Sequence, residues 1–290
     1  MNPTVSILAP GNMGAAMGAV LVKNGLEVRT SLAGRSAESA RRAEAAGMVA
    51  AAADALVDVD LLLSVVPPAN ALDTAKMVAD AIRARDRKPV YVDCNAVNPD
   101  TVATVAETVV AAGAPFVDGG IIGGPPQDGY DGPVLYVSGS GADKVAVLTD
   151  YGLRVTVLDG PDGPAPVGAA SALKMSYAGI TKGTNALATA MILAASRAGA
   201  ADALFAELSA SQPGFLKSFA RSIPGSLDKA WRWEPEMREI GAFAGDDPAA
   251  AGIYEHIAQL YARIAADRAG DEVETAMLLD FFKDFDPPKA

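Results

Sequence analysis

Ala9-Pro10-Gly11-Asn12-Met13-Gly14 decides how the first half of this 290-residue chain is read. It follows an apolar run at residues 5–9 and opens a helical-looking stretch at 13–23. Glycine at 11 lets the backbone come close to a ligand, and glycine at 14 lets a helix pack tightly on a strand. A helix that starts here points free N–H groups and the positive end of its dipole at an anion. The stretch is a variant of the G-x-G-x-x-G phosphate loop with alanine at the first position. Strand before and helix after is the context that loop requires. A strand-to-helix turn without a ligand is the alternative use of the same residues.

Further along, β-rich runs at 27–32, 60–66, 89–93, 116–118, 134–138 and 154–158 alternate with helical stretches, among them 37–46, 69–84 and 99–112. Such alternation predicts a parallel sheet covered on both faces by helices. Leu61-Leu62-Leu63-Ser64-Val65-Val66 suits a strand buried on both sides. Beyond about Pro166 the β signals vanish, and Ala/Leu/Met segments run on to the end. The change falls in Asp159-Gly160-Pro161-Asp162-Gly163-Pro164, which is too rich in Gly, Pro and Asp to predict regular structure. The expected fold is an α/β Rossmann-type doubly wound sheet, a dinucleotide-binding domain at 1–163, followed by an all-α domain for substrate and dimerisation at 164–290.

Composition narrows the chemistry. Half of the residues are apolar, enough for sizeable cores, and 24 basic residues face 35 acidic ones, a net charge of −11. That surface repels polyphosphate and anionic headgroups, so nucleic acid and membrane are not expected partners. One cysteine, Cys94, rules out an internal disulfide framework or a Cys-rich metal site, and one histidine, His256, rules out a multi-histidine one. Chemistry then falls to Lys, Asp, Glu, Ser, Tyr or an organic cofactor, with no metal. No positive charge precedes the first apolar run, and Thr189, Ser196, Arg197 and Asp202 interrupt the longest apolar segment. A soluble cytoplasmic protein is expected.

The end of the second run selects the dinucleotide. An NAD site needs an acid there to accept from a ribose hydroxyl. Thr30-Ser31-Leu32-Ala33-Gly34-Arg35-Ser36 has none. Arg35 suits stacking on adenine or pairing with a 2′-phosphate, and Ser36 suits either donating to that phosphate or capping the next helix. Arg41 and Arg42 are read as solvated, with the option of joining the cluster. NADP is expected rather than NAD.

Lys174 stands in Gly168-Ala169-Ala170-Ser171-Ala172-Leu173-Lys174-Met175-Ser176-Tyr177, a run otherwise small and apolar. A lysine in dry surroundings loses its charge readily and suits proton transfer near neutral pH. Snorkelling to the surface is the competing use. Loop, lysine helix and helical second half together resemble the β-hydroxyacid dehydrogenase superfamily. That group includes 3-hydroxyisobutyrate dehydrogenase and the NAD-binding region of 6-phosphogluconate dehydrogenase. The loop 9–14 with Met17 matches its Gly-Leu-Gly-x-Met-Gly-x-x-Met pattern except at the first glycine. Asp118-Gly119-Gly120-Ile121-Ile122-Gly123-Gly124 stands where the family has Asp-Ala-Pro-Val-Ser-Gly-Gly. Gly168 and Lys174 keep the Gly-x-Gly-x-x-x-Lys spacing, with Ala170 for the second glycine. Residues 93–99 resemble the segment that lines the nicotinamide ribose.

The resemblance implies hydride transfer with Lys174 as general acid/base. It implies Gly11, Asn12, Met13 and Gly14 at the pyrophosphate, Val66 and Pro67 beside the nicotinamide and Asn95 at its ribose. It further implies a substrate anion at the backbone N–H groups of Gly123 and Gly124. Two departures matter. The family's substrate-loop serine is Ile122 here, and the asparagine four residues after the lysine is Ala178, preceded by Tyr177. A buried carboxylate without partners costs several kcal/mol. The expected substrate is therefore bulkier, less polar, or anchored from the helical half, with Tyr177 and Lys182 as candidate anchors or as packing residues.

Residues 218–243 hold both tryptophans, Trp231 and Trp233, around Arg232, and resemble a C-terminal domain of unsettled function found in a subset of the superfamily. They suit either a substrate wall or core packing. His256 is read as a surface or packing residue. Small residues along the lysine helix suit close helix packing, and in relatives the helical halves build a dimer, so a homodimer is expected. The leading expectation is an NADP-dependent oxidoreductase on a small-molecule hydroxy acid or its oxo partner. The alternatives are an imine or carbonyl reductase on a non-acid substrate and a dinucleotide sensor without catalysis.

Overall fold

The computed structural model describes residues 2–126, 129–130 and 132–285. The chain packs as two compact units, Met1–Met175 and Ser176–Ala290.

The first unit runs β1 (Val5–Ile7), α1 (Asn12–Lys23), β2 (Val28–Thr30), α2 (Ala37–Ala45), β3 (Val49–Ala50), α3 (Ala53–Val57), β4 (Leu61–Ser64), α4 (Ala71–Arg83), β5 (Val90–Asp93), α5 (Pro99–Val110), β6 (Phe116–Ile122), β7 (Val134–Ser138), α6 (Ala142–Ala146) and β8 (Arg154–Val157). Among the described residues these strands form one eight-stranded sheet in the order β3-β2-β1-β4-β5-β6-β7-β8. Every neighbouring pair is parallel except β6 and β7. Helices lie on both faces because strand side chains alternate. Leu61 and Leu63 of β4 join the core shared with Met17 and Leu21 of α1, while Leu62 joins the core shared with Val78 of α4 and Val105 of α5. Leu62 and Leu63 are each fully buried, a contribution of about 1.5–3 kcal/mol apiece.

Three local features depart from the sequence expectation. The sheet is not wholly parallel, because β7 returns beside β6 through the segment after Gly124. Strand β6 continues past residue 118 through Gly119 and Gly120. These glycines permit close packing rather than breaking the strand: a Cβ on Gly119 would lie 2.9 Å from the Asp93 carbonyl oxygen, and one on Gly120 would lie 2.5 Å from that of Ala170. Finally, Asp159–Gly160 and Gly163–Pro164, expected to be irregular, form a small antiparallel hairpin, β9 and β10. Gly163, at a φ of +132°, supplies the backbone freedom that its tight turn needs.

Helix α7 (Ala169–Arg197) begins in the first unit. From Ser176 on, the second unit continues through α8 (Ala201–Ser211), α9 (Pro213–Ser222), α10 (Ala230–Phe243), α11 (Pro248–Ala269) and α12 (Val273–Phe281). Asp247 caps α11 by accepting from the Ala249 amide at 2.9 Å, with Pro248 preset at the first helical position. Asp267 accepts from the Glu274 and Thr275 amides at 2.9 and 2.7 Å and so fixes the start of α12. Small residues on α7 receive its neighbours: a Cβ on Gly179 would lie 2.7 Å from the Tyr254 hydroxyl. No described helix is long and apolar enough to cross a membrane.

At Gly14 an added Cβ would lie 2.2 Å from the Ala9 carbonyl oxygen, a backbone atom that cannot swing aside. Gly14→Ala is expected to destabilise the chain by about 1–3 kcal/mol, read as a lower Tm. At Gly11 no atom lies within 4 Å of an added Cβ, so Gly11→Ala is expected to leave Tm unchanged.

Candidate active site

Strands β1 and β4 are neighbours, yet the chain leaves β1 toward β2 on one side and reaches β4 on the other. This reversal opens a crevice beyond the carboxyl ends of the two strands, the place where doubly wound sheets bind ligands. Residues 8–14 form its first rim. Gly11 is the extended N-cap of α1 (φ −69°, ψ −179°), and the helix has no side-chain cap and no acid in its first turn. Its positive N-terminal end therefore has no anionic side chain of its own, and the space over Gly11 is open. Those features fit a pyrophosphate.

The second rim lies beyond β4. Asn95, 2% exposed, accepts from the Val66 amide at 2.7 Å and donates to the Ser64 hydroxyl at 3.1 Å. Its own amide donates to Asp93 at 2.9 Å. The Asn95 side chain thus ties the exit of β4 to that of β5 and sets the position of Val66, which is buried, while Pro67 beside it is exposed.

Beyond β2, Ser36 caps α2, accepting from the Ser39 amide at 3.2 Å, and Arg35 is exposed. Arg41 is also exposed, but Arg42 is half-buried against the loop. Its Nε donates to the Pro10 carbonyl at 3.2 Å, and its other nitrogens reach Ser39 and Glu38. Residue type gave no sign of the difference between Arg41 and Arg42. The signal lay in the helical spacing, which puts Glu38, Ser39 and Arg42 on one face of α2.

At the far side of the site, Asp118 of β6 is fully buried and accepts from four donors. Its Oδ2 takes the amides of Gly168 and Ser171, each at 3.0 Å, and the Ser138 hydroxyl at 3.1 Å. Its Oδ1 takes the Ser171 hydroxyl at 2.6 Å. Ser138, paired with Asp118 across the antiparallel strands, in turn accepts from the Ala170 amide at 3.1 Å. The amides of Gly168, Ala170 and Ser171 at the start of α7 are thereby satisfied from the sheet, and a carboxylate faces the positive end of the helix dipole. Lys174, partly exposed, stands one turn beyond Ser171. Its Cβ lies 3.3 Å from where a Gly120 Cβ would be. In the sequence Asp118 is legible only as part of a motif, since its role depends on residues 20 and 53 positions away.

Beneath this site, burial and then the Asp118 charge push the Asp93 carboxyl up to about 7. Burial, with Asp93 adding to it, also pushes the Cys94 thiol up, which keeps it protonated and a poor nucleophile. Ile122, the last residue of β6, is half-buried, and Gly123 and Gly124 in the loop after it are exposed. Gly123 has a φ of +123°, and a Cβ there would lie 2.5 Å from the Tyr130 hydroxyl, which puts a polar group beside the loop that the motif did not reveal.

Three further candidates belong to the second unit. Tyr177 is 52% and Trp231 65% exposed, with Arg232 over the Trp231 ring. Trp233 packs edge-on against Tyr261 and under the Lys182 ammonium, which is 4.9 Å from its ring centre. Lys182 is ion-paired with Glu236, and burial lowers its proton affinity. Among the described residues, no group of three or more His, Cys, Asp or Glu side chains gathers to hold a metal.

Comparison with known proteins places these features. Residues 4–152 match the family model described as the NAD binding domain of 6-phosphogluconate dehydrogenase, and residues 195–264 match a domain of unknown function, DUF1932. An uncharacterized 28.5 kDa protein of Methanothermus fervidus is 28% identical over 191 residues, covering 66% of this chain and 70% of that one. A solved conserved protein of unknown function, described as structurally similar to 3-hydroxyacid dehydrogenases, aligns with a TM-score of 0.71 at 26% identity, over 92% of this chain and 98% of that one. The 3-hydroxyisobutyrate dehydrogenase of Mycobacterium tuberculosis, solved with L-serine, has the same fold, with a TM-score of 0.71 at 19% identity, over 97% and 99% of the two chains.

The Asp93 shift has a stability consequence. A folded value of about 7 against 3.8 means the native state holds a proton more tightly than the unfolded chain. Its contribution is full below pH 3.8, declines as pH rises, and is gone above about 7. Asp93→Asn imitates the protonated carboxyl. It is expected to raise Tm over wild type progressively between pH 4 and 7 and then level off, with a gain of at most ~4 kcal/mol. Thermal melts across that range check it.

Proposed function

The chain belongs to the β-hydroxyacid dehydrogenase superfamily, in the subset with a helical C-terminal domain, and on that footing we propose that it is an NADP-dependent oxidoreductase acting on a hydroxy acid or its oxo partner. The observation that carries this reading is the joining of Lys174 to the substrate-loop strand: one carboxylate, Asp118, binds the first turn of the lysine helix from β6, the strand that leads directly into Gly123 and Gly124.

Gly11, Asn12, Met13 and Gly14 bind the pyrophosphate on the α1 N-terminus. Arg35 and Ser36 face the adenosine end, where no acid stands at the exit of β2 to favour NAD. Val66 and Pro67 border the nicotinamide, with Asn95 behind them holding Val66 in place. A bound dinucleotide supplies the hydride acceptor, or the donor in reduction. Lys174 takes the hydroxyl proton on its Nζ during oxidation and returns it during reduction. The Gly123 and Gly124 amides offer donors to a substrate anion.

Ile122 and Ala178 replace the serine and asparagine of the family pattern, two polar anchors for a small hydroxy acid, so the substrate carries a bulkier or less polar part. The same substitution favours a second reading, reduction of an imine or other non-acid carbonyl compound. Tyr177, Ile180, Leu187 and Met191 form an exposed apolar stripe on α7, 52 to 68% exposed, which fits a homodimer through the helical half of a soluble cytoplasmic enzyme.

Initial rates with NADP and NAD on a panel of 2- and 3-hydroxy acids, including bulky aryl and alkyl members, test the proposal. Lys174→Ala is expected to lower kcat by about 10²–10⁴-fold while the Kd for NADPH stays within about twofold. A fully active Lys174→Ala variant would refute the assignment. NADPH binding with turnover only when an amine or imine is supplied would favour the second reading.

A further inference from the structure

We propose that Arg42, held between the phosphate loop and α2, is the residue that selects the phosphorylated dinucleotide, with Glu38 as the counter-charge that the 2′-phosphate displaces. This rests on the reading of residues 9–14 as a dinucleotide loop and extends it to the basis of specificity.

In a doubly wound sheet the adenosine ribose lies between the loop after the first strand and the end of the second. Arg42 lies on α2, the helix that follows the second strand, and reaches across to the loop after the first. Its Nε donates to the carbonyl of Pro10, the residue before Gly11, and its Nη2 donates to the Ser39 hydroxyl at 3.0 Å in the first turn of α2. Its Nη1 pairs with Glu38. A guanidinium carries five N–H donors, so these three bonds leave one on each terminal nitrogen. The fork is held at one edge and has donors left for the two oxygens of a phosphate.

The other candidates in this corner are differently placed. The Ser36 hydroxyl accepts from the Ser39 amide and donates to the Ser39 hydroxyl at 3.2 Å, so it is engaged in capping. Ser39 accepts from both Ser36 and Arg42, which leaves its own proton free to donate. Arg35 is exposed, and its amide donates to the Leu32 carbonyl at 3.1 Å, within its own turn after β2. The Glu38 side chain is 71% exposed and that of Arg42 only 28%. A pair with one arm in water is weak and screened by salt. A 2′-phosphate brings more charge than one carboxylate and three acceptor oxygens, so it displaces Glu38, whereas the bare 2′-hydroxyl of NADH does not.

The test is the Kd of NADPH and of NADH at one fixed ionic strength for wild type, Arg42→Met, Arg42→Lys, Glu38→Gln and Arg35→Met, read by nicotinamide fluorescence. Circular dichroism checks that each variant is folded. Arg42→Met is expected to weaken NADPH at least tenfold and NADH less than twofold. Arg42→Lys should fall between, since the charge remains without the fork, and Glu38→Gln should tighten NADPH severalfold with NADH unchanged. Equal weakening of both dinucleotides by Arg42→Met would mean that Arg42 only braces the Pro10 loop, which overturns the proposal. Loss of discrimination in Arg35→Met but not in Arg42→Met also overturns it. If Arg42→Met does not fold, Arg42→Lys and Glu38→Gln decide on the same criteria. Wild type binding NADH as tightly as NADPH refutes the NADP preference itself, a failure distinct from a clear preference that Arg42 does not control.

Discussion

The placing of Lys174 against β6 depends on the buried Asp118 carboxylate. A full charge at a fully buried position is tolerable only when its lone pairs are satisfied, and four donors from two elements do so here. The arrangement serves both partners. The carboxylate gains hydrogen bonds from the start of α7, and a 29-residue helix gains a negative charge at its positive end. Because the bonds run from β6 to the first turn of α7, the register of Lys174 against the glycine strand is set by the same contacts. A lysine on a helix frayed at its start would have no fixed relation to the loop at Gly123.

Glycine supplies the space that this clamp needs. A side chain at 120 would hold the helix away from β6, since its Cβ would meet the Ala170 carbonyl oxygen at 2.5 Å, and one at 119 would press on the neighbouring strand, 2.9 Å from the Asp93 carbonyl oxygen. The same logic operates at the opposite rim, where Gly14 lets α1 close on the Ala9 carbonyl while Gly11 leaves the approach to the loop open. Between the rims, Asn95 uses its whole amide to join two strand ends. The crevice is thus bounded by backbone held at short range, and its polar side chains act mainly as fasteners.

The second unit is built on a different plan, with apolar packing punctuated by a few partly buried ion pairs. Lys182 and Glu236, whose side chains are 19% and 16% exposed, pair beside Trp233, and the Tyr261 hydroxyl donates to the Lys182 carbonyl at 2.8 Å. Removing either charge would leave the other poorly solvated, so this cluster holds α7, α10 and α11 in one arrangement. Lys182 is therefore committed to packing, whereas Tyr177 and Trp231 present large exposed surfaces.

Residue order alone carried the sheet-then-helix division, the phosphate loop and the distinctive lysine, because each rests on local signals: hydrophobic period, glycine spacing, and one charged residue in a small apolar run. It also carried the acid-free end of β2. The antiparallel β7 and the continuation of β6 through two glycines were decided by pairing between strands 12 to 20 residues apart, which local propensity does not encode, whereas the small hairpin at 159–164 pairs near neighbours in a stretch whose Gly, Pro and Asp content hides it. The roles within the site divide in the same way. Asp118 reads as one more motif residue until Ser138, Gly168 and Ser171 surround it, and Arg42 reads as a solvated charge until its helix turns it onto the Pro10 carbonyl. A side chain's type is written at its own position, but its hydrogen-bond partners are chosen by the fold that brings remote backbone within 3 Å.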